Sequence, residues 1–183
     1  MATTTRTVTY EEWLNMPLVD DAIEEVVNGE IRIMPPKKWK HTIIVENLSD
    51  ALKAQVDRKA VRVVASVFGL ISRKTPLTSW APELAVFIKQ NIVEQDGYIH
   101  SAPEVVVEVL SLANTRRLMN EKISDYQSIA APELWIISSE AQTVEVLLLQ
   151  NGKLITDRVV TQGQLSAKLF PGVAVDVSTI WPD

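Results

Sequence analysis

Cysteine is absent from the 183 residues, which excludes disulfides and thiolate metal sites. Histidine is scarce: His41 and His100 are the only two, which makes a zinc site a poor fit. Any metal should then be hard and oxygen-bound, such as Mg²⁺ or Mn²⁺. The opening residues MATTTRTVTY lack the apolar run of a secretory leader, and no window approaches the length of a membrane span. A cytoplasmic location with no membrane partner is the resulting expectation. Glycine-rich phosphate loops, nucleophile elbows and zinc-binding spacings are missing too. So are low-complexity segments, true repeats and interdomain linkers. The chain reads as a single domain over residues 1–183, long enough to bury one sizeable core.

The net charge of −5 argues mildly against a general nucleic-acid binder, but the charge is unevenly spread. Residues 32–74 carry ten basic and three acidic side chains, a local +7 that leaves −12 over the rest. Such a segment is either a solvated helix face with its loops or an electrostatic footprint for a phosphate backbone. Its most suggestive part is KKWKH, where Trp39 stands among Lys37, Lys38 and Lys40. These three lysines are the candidate nucleic-acid contacts.

The stretch PEVVVEVLSLANTRRLMNEKISDY, residues 103–126, organises the rest. Val105, Val106, Val107, Val109 and Leu110 form a run suited to a strand buried on both faces. Glu108 interrupts it, and a lone buried carboxylate is costly. Either the strand end dips into solvent there, or a cation sits on the carboxylate. A helix should follow from Asn114 or Thr115 to about Ile129. At ~100° per residue, Leu118, Met119, Ile123, Tyr126, Ile129 and Ala130 share one apolar arc with Lys122 in its middle. Lys122 either snorkels to water or points inward at Glu108. An inward lysine and a strand glutamate are two parts of a metal-assisted phosphodiester site. On that reading, Lys122→Met keeps the packed stem and the stability while abolishing catalysis.

Around this unit, Thr7 or Thr9 is placed to cap a short helix through Tyr10, Trp13 and Leu14, ended by Pro17. Asn28-Gly29 predicts a tight hairpin within Ile23 to Met34, and Pro35-Pro36 stops it. From His41 to about Val56 the pattern is amphipathic, with His41 heading the buried face. Short strands are predicted at 61–65 and 68–72, then a polar loop through Pro76 and Ser79, then a strand over 83–88. Gly97 marks a turn. Further strands are expected at 133–138, 143–150, 154–160 and 173–177. Ala81-Pro82-Glu83, Ala102-Pro103-Glu104 and Ala131-Pro132-Glu133 each open an apolar strand. The passage from Val105 to Ile137 reads as a parallel crossover, and the rest as hairpins. The fold class is therefore α/β or α+β, a mixed sheet flanked by helices.

Laid out in this order, the chain resembles the restriction-endonuclease-like family of small bacterial proteins, a branch of the PD-(D/E)XK nuclease superfamily. The resemblance runs through VTYEEWLNMP, EVVNGEI, the His41 helix, PELAV, PEVVVEVLS, Lys122 and Tyr126, APELWII and FPGVAVDVSTIW. It implies a restriction-endonuclease-like sheet and a metal-dependent nuclease site. Glu83 falls where the family has its first metal-binding acid, usually aspartate, and Glu108 where it has the second. Lys122 matches the family's lysine, moved onto the helix after the strand, and Tyr126 a tyrosine one turn later. Glu25 matches an acid of the first hairpin and His41 a histidine at a helix start. Ser111-Leu112 departs from the family's serine-proline. The resemblance also implies DNA as partner and a homodimer that cuts both strands.

Two rivals stand beside Mg²⁺-dependent DNA hydrolysis. Glutamate in place of aspartate at position 83 fits a nuclease-fold module that binds DNA or a protein without cutting. A metal phosphoesterase acting on a small ester is the other.

Overall fold

The computed structural model describes residues 7–17, 22–34, 36–65, 67–110 and 116–182. Helix α1 (Tyr10–Leu14) is capped by Thr9, whose hydroxyl accepts from the Glu12 N–H while the Glu12 carboxylate accepts from Thr9. Strands β1 (Ile23–Val27) and β2 (Glu30–Met34) form the expected hairpin, with Asn28 and Gly29 both at positive φ. Helix α2 (Trp39–Gln55) leads to β3 (Val61–Val64), and then β4 (Leu70–Lys74) turns back into β5 (Leu77–Trp80). Strand β6 (Leu84–Ile88) begins one residue after Glu83. A two-residue ribbon, β7 (Glu94–Gln95) and β8 (Tyr98–Ile99), turns at Asp96-Gly97.

The crossover follows as β9 (Val105–Leu110), α3 (Arg116–Ser128) and β10 (Glu133–Ser138), with β9 and β10 parallel in register. The expected helix starts at Asn114 or Thr115, and Ser111-Leu112, lie outside the described residues. The hairpin β11 (Thr143–Gln150) and β12 (Lys153–Val160) comes next, then the small pair β13 (Gln164–Ser166) and β14 (Ala174–Asp176). No helix among the described residues is long and apolar enough to cross a membrane.

The mixed α+β class is as the sequence predicts, but the strands divide between two six-stranded sheets. One runs β12-β11-β10-β9-β6-β3 and the other β2-β1-β5-β4-β8-β7. The expected polar loop through Pro76 and Ser79 is a correction. Its second half is β5, fully buried between β1 and β4. Thr78 is tolerated there because its hydroxyl accepts from the Asn28 N–H and from Arg73. Strand β13 was not anticipated, and its three residues are too short to carry a period.

Alternation along β9 decides what faces what. Val105, Val107 and Val109 pack with Ile44, Leu48 and Leu52 of α2 in one core. Val106 packs on the opposite face with Met119 and Tyr126 of α3 and with Val27 and Trp80 of the other sheet. Glu108 shares the parity of Val106, so it points into the space between α3 and both sheets. Glu25 shares the parity of Val27 and faces the same space from β1.

Gly29 joins three segments. Its N–H donates to Leu77, its carbonyl accepts from Val8, and a Cβ there would lie 2.9 Å from Thr7 Cβ and 3.1 Å from the Val8 carbonyl oxygen. Gly152 has a similar positive φ, but a Cβ there meets nothing within 4 Å. Gly29→Ala should therefore lower the urea midpoint more than Gly152→Ala. The first change should cost about 2 kcal/mol or more, and the second about 1 kcal/mol from φ strain alone.

Candidate active site

Lys122 is the centre of the site and is 4% exposed. Its Nζ donates to both oxygens of Glu108, at 3.0 and 2.8 Å, and stands 3.0 Å from Glu25 Oε1. Tyr126, one turn further along α3, donates its hydroxyl to Glu108 Oε1 at 2.5 Å. The Trp80 ring closes over the ammonium, with its centroid 5.2 Å from Nζ. Lys122 therefore points inward and does not snorkel, and the strand end carrying Glu108 does not reach solvent.

Burial works against the charge on Lys122, but the fields of Glu108 and Glu25 outweigh it and hold the group above its ordinary value. Burial pushes the Glu108 carboxyl up, partly offset by Lys122 and reinforced by the negative charge of Glu83. Burial likewise pushes the Tyr126 phenol up, helped by Glu108, so it remains a donor.

Glu83 approaches from the neighbouring strand. Leu84 pairs with Val107, so one step further along that register Glu83 adjoins Glu108. Its carboxylate has its own escort. Lys37 Nζ donates to Oε1 at 2.6 Å, and His41 Nε2 stands 2.8 Å from Oε2. Close as it is, His41 Nε2 makes no well-aligned hydrogen bond, and Nδ1 has no partner among the described residues. Burial raises the Glu83 carboxyl, but the contact with His41 and the charge of Lys37 outweigh it and hold the group below its ordinary value. Glu25 keeps one loosely held oxygen: Oε1 also accepts from the Ala81 N–H at 3.4 Å, while Oε2 is buried with no partner among the described residues.

The structure thus gathers Glu25, Glu83, Glu108, Lys122, Tyr126 and His41. It also draws Lys37 out of the basic surface run and sets it over Glu83. Lys38 and Lys40 stay exposed beside Trp39, which is 75% exposed. Two participants were not anticipated. Asp125 accepts from the Trp80 indole at 2.9 Å, beside Arg73 at 3.9 Å. Its spacing from Lys122 and Tyr126 puts it on their helix face, which is a readable signal. Trp80 lay in the segment misread as a loop.

Three buried groups share the Lys122 ammonium, which overturns the expectation that Lys122→Met leaves stability intact. Removing it strands Glu108 and Glu25 unpaired, a loss of about 3–5 kcal/mol at neutral pH. Burial raises the Glu108 carboxyl above its ordinary 4.5, and losing the Lys122 charge that offsets this raises it further. The folded state then binds a proton that the unfolded state releases, so the deficit grows as pH rises above that value and shrinks below it. Urea melts of Lys122→Met at acid and neutral pH should show this slope. Lys122→Met combined with Glu108→Gln should recover part of the loss.

Comparison with known proteins bears on the family and the fold. The profile of the family described as "Uma2: Putative restriction endonuclease" matches residues 10–178. A crystal structure from Anabaena variabilis, described as a putative nuclease belonging to DUF820, superposes with a TM-score of 0.76. It is 21% identical, with 94% of this chain and 97% of that chain covered. At that identity it shows a shared fold. No curated protein matches the sequence. The family profile spans nearly all the elements described above, and the chain belongs to the Uma2 restriction-endonuclease family.

Proposed function

We propose that the protein is a metal-dependent nuclease that hydrolyses DNA phosphodiester bonds at the Glu83–Glu108–Lys122 cluster. One observation carries the reading. A lysine buried between two carboxylates is kept charged beside a third carboxylate on the adjoining strand. Such a group can meet negative charge developing on a phosphate without reorganising.

The donor set fits a hard divalent ion. All candidate ligand atoms are carboxylate oxygens, and Glu25 Oε2 is buried without a partner among the described residues. Three carboxylates face two ammoniums, Lys37 and Lys122, which leaves the cluster one negative charge in excess. No three His, Asp or Glu side chains among the described residues are gathered so that together they could hold a metal ion. Two carboxylates, Glu83 and Glu108, would therefore hold Mg²⁺ or Mn²⁺, the shell being completed by water and substrate oxygens. The bound ion would supply Lewis acidity to the phosphate and lower the pKa of a water. Lys122 positions the attacking water or stabilises the charge forming on phosphate oxygen. Tyr126 fixes the Glu108 carboxylate on which Lys122 rests, and Glu25 holds Lys122 from the other side. Lys37 and His41 keep Glu83 ionised. A homodimer that places one site on each strand, as the resemblance implies, forms part of the proposal.

A second reading, a module that binds DNA or a protein without cutting, has one observation in its favour. Both Glu83 oxygens are already approached by Lys37 and His41, and an ion must displace at least one of them. Incubation with plasmid and with a chromogenic phosphodiester, each with Mg²⁺, Mn²⁺ or EDTA, separates the readings. Nicking that needs metal, and is lost in Glu108→Gln, supports the nuclease. Retention of DNA without nicking supports the module, and activity on the small ester alone supports a phosphoesterase.

Metal at ten times its dissociation constant should add about 1.4 kcal/mol of stability to the wild type. Glu83→Ala should lose that melting shift, and an undiminished shift would remove Glu83 from the ligand set.

DNA affinity should fall steeply with salt as counterions are released. Lys38→Glu with Lys40→Glu should flatten the slope of log affinity against log salt by about two. An unchanged slope in titrations from low to moderate salt would show that these lysines do not meet the backbone.

A further inference from the structure

A groove of about 630 Å³ opens between α3, the β1–β2 turn and β4. Arg116, Asn120 and Ser124 follow one another at one-turn spacing on the side of α3 that borders it, with Arg117, Glu121 and Asp125 in the next row. The groove therefore follows the helix for about 12 Å. Arg73 of β4 and Asn28 of the turn line it as well. Its floor adjoins the candidate reaction centre. The Trp80 indole donates to Asp125 at 2.9 Å, and the same ring lies 5.2 Å from Lys122 Nζ.

The guanidiniums here keep donors open to solvent. Arg116 is exposed and has no partner among the described residues. The Arg117 side chain is 87% exposed and engages only its Nε, on Glu121 at 3.0 Å. Glu121 also accepts from Arg32 at 3.0 Å, so one carboxylate braces two guanidiniums. Arg73 is pinned through Nε to Pro76 and through Nη2 to Asn28 and Thr78. Its Nη1 lies 3.9 Å from Asp125, beyond hydrogen-bond length. Counting Arg32, four arginines meet two acids, a local +2 in a chain of net −5. Guanidinium forks held at fixed spacing match phosphate oxygens. A protein partner fits less well, because interfaces anchor on large side chains seated in pockets. Among the described residues, Val27 is the one apolar side chain lining the groove, and at 1% exposure it gives such an anchor no seat.

We propose that this groove holds the phosphate backbone of the DNA away from the scissile bond, with Arg116, Arg117 and Arg73 as the contacts. The proposal rests on the nuclease reading for DNA as the polyanion. Contacts of this kind fix register and orientation and carry no sequence information. Because one indole joins Asp125 in the groove to Lys122, a strand held here lies close to the reaction centre.

Fluorescence anisotropy with two short labelled duplexes of unrelated sequence, in EDTA, reads the groove without catalysis. The slope of log affinity against log salt should fall by about one in Arg116→Ala, and by about two when Arg117→Ala is added, equally for both duplexes. Arg116→Lys should keep the slope, because the charge remains. Arg116 holds no other described residue in place, so its truncation spares the fold, and the single variant decides the matter if the double one misfolds. A slope unchanged in Arg116→Ala, a loss confined to one duplex, or an equal loss in Arg116→Lys would overturn the proposal. So would binding of a phosphoserine peptide by a protein that binds neither duplex. A parallel plasmid assay with Mg²⁺ or Mn²⁺ separates the groove from the nuclease reading. Metal-dependent nicking with unchanged slopes overturns the groove and leaves the nuclease standing. The expected loss of slope, in a protein that nicks nothing with any metal, supports the groove and overturns the nuclease.

Discussion

The Lys122 ammonium is the interaction on which the rest depends. It is the shared counter-charge of a carboxylate from each large sheet, Glu25 on β1 and Glu108 on β9, and it arrives on the helix that connects β9 to β10. The junction of the two sheets and the candidate reaction centre are therefore one object. Three charges buried together are tolerated only as a set, because each would be prohibitively costly alone. Tyr126 and the Trp80 ring complete the enclosure with a hydroxyl donor and a π face. A site held this tightly is rigid before substrate arrives, which is what electrostatic catalysis requires.

The three Ala-Pro-Glu strand starts show how one local sequence serves different ends. All three glutamates are largely buried. Glu104 accepts from the Ile88 N–H and from Asn91, and Glu133 accepts from the Lys168 N–H and the Trp135 indole. Each of those two takes one backbone donor and one side-chain donor, so both its oxygens are engaged. Among the described residues Glu83 has no backbone donor and meets two side-chain bases, Lys37 and His41. Side-chain cations can swing away and a backbone N–H cannot. The carboxylate with movable partners is therefore the one suited to take an ion.

Much of the fold was legible where the local period was strong. The β1–β2 turn, the α2 face beginning at His41 and the parallel β9–α3–β10 crossover all follow from spacing and turn chemistry. The reading failed at β5, whose Leu-Thr-Ser-Trp looks polar. It is a buried central strand because Asn28 and Arg73 satisfy Thr78 across the sheet. The inward Lys122 and its target Glu108 were legible as two apolar patterns, each broken by one charge. The escort of Glu83 was not, since Lys37 precedes α2 in a run of lysines that all look alike in sequence.

By itself, the sequence determined the crossover unit and the two misplaced charges within it. Composition, periodicity and turn residues are local properties, and these conclusions need nothing else. Only the tertiary structure decided that the strands split into two sheets and that Glu25 and Glu108 share one lysine. It alone lifted Lys37 out of the surface run and set it over Glu83. Each of these depends on which distant segments meet. That is set by the summed burial of both sheets, and no single stretch of chain carries it.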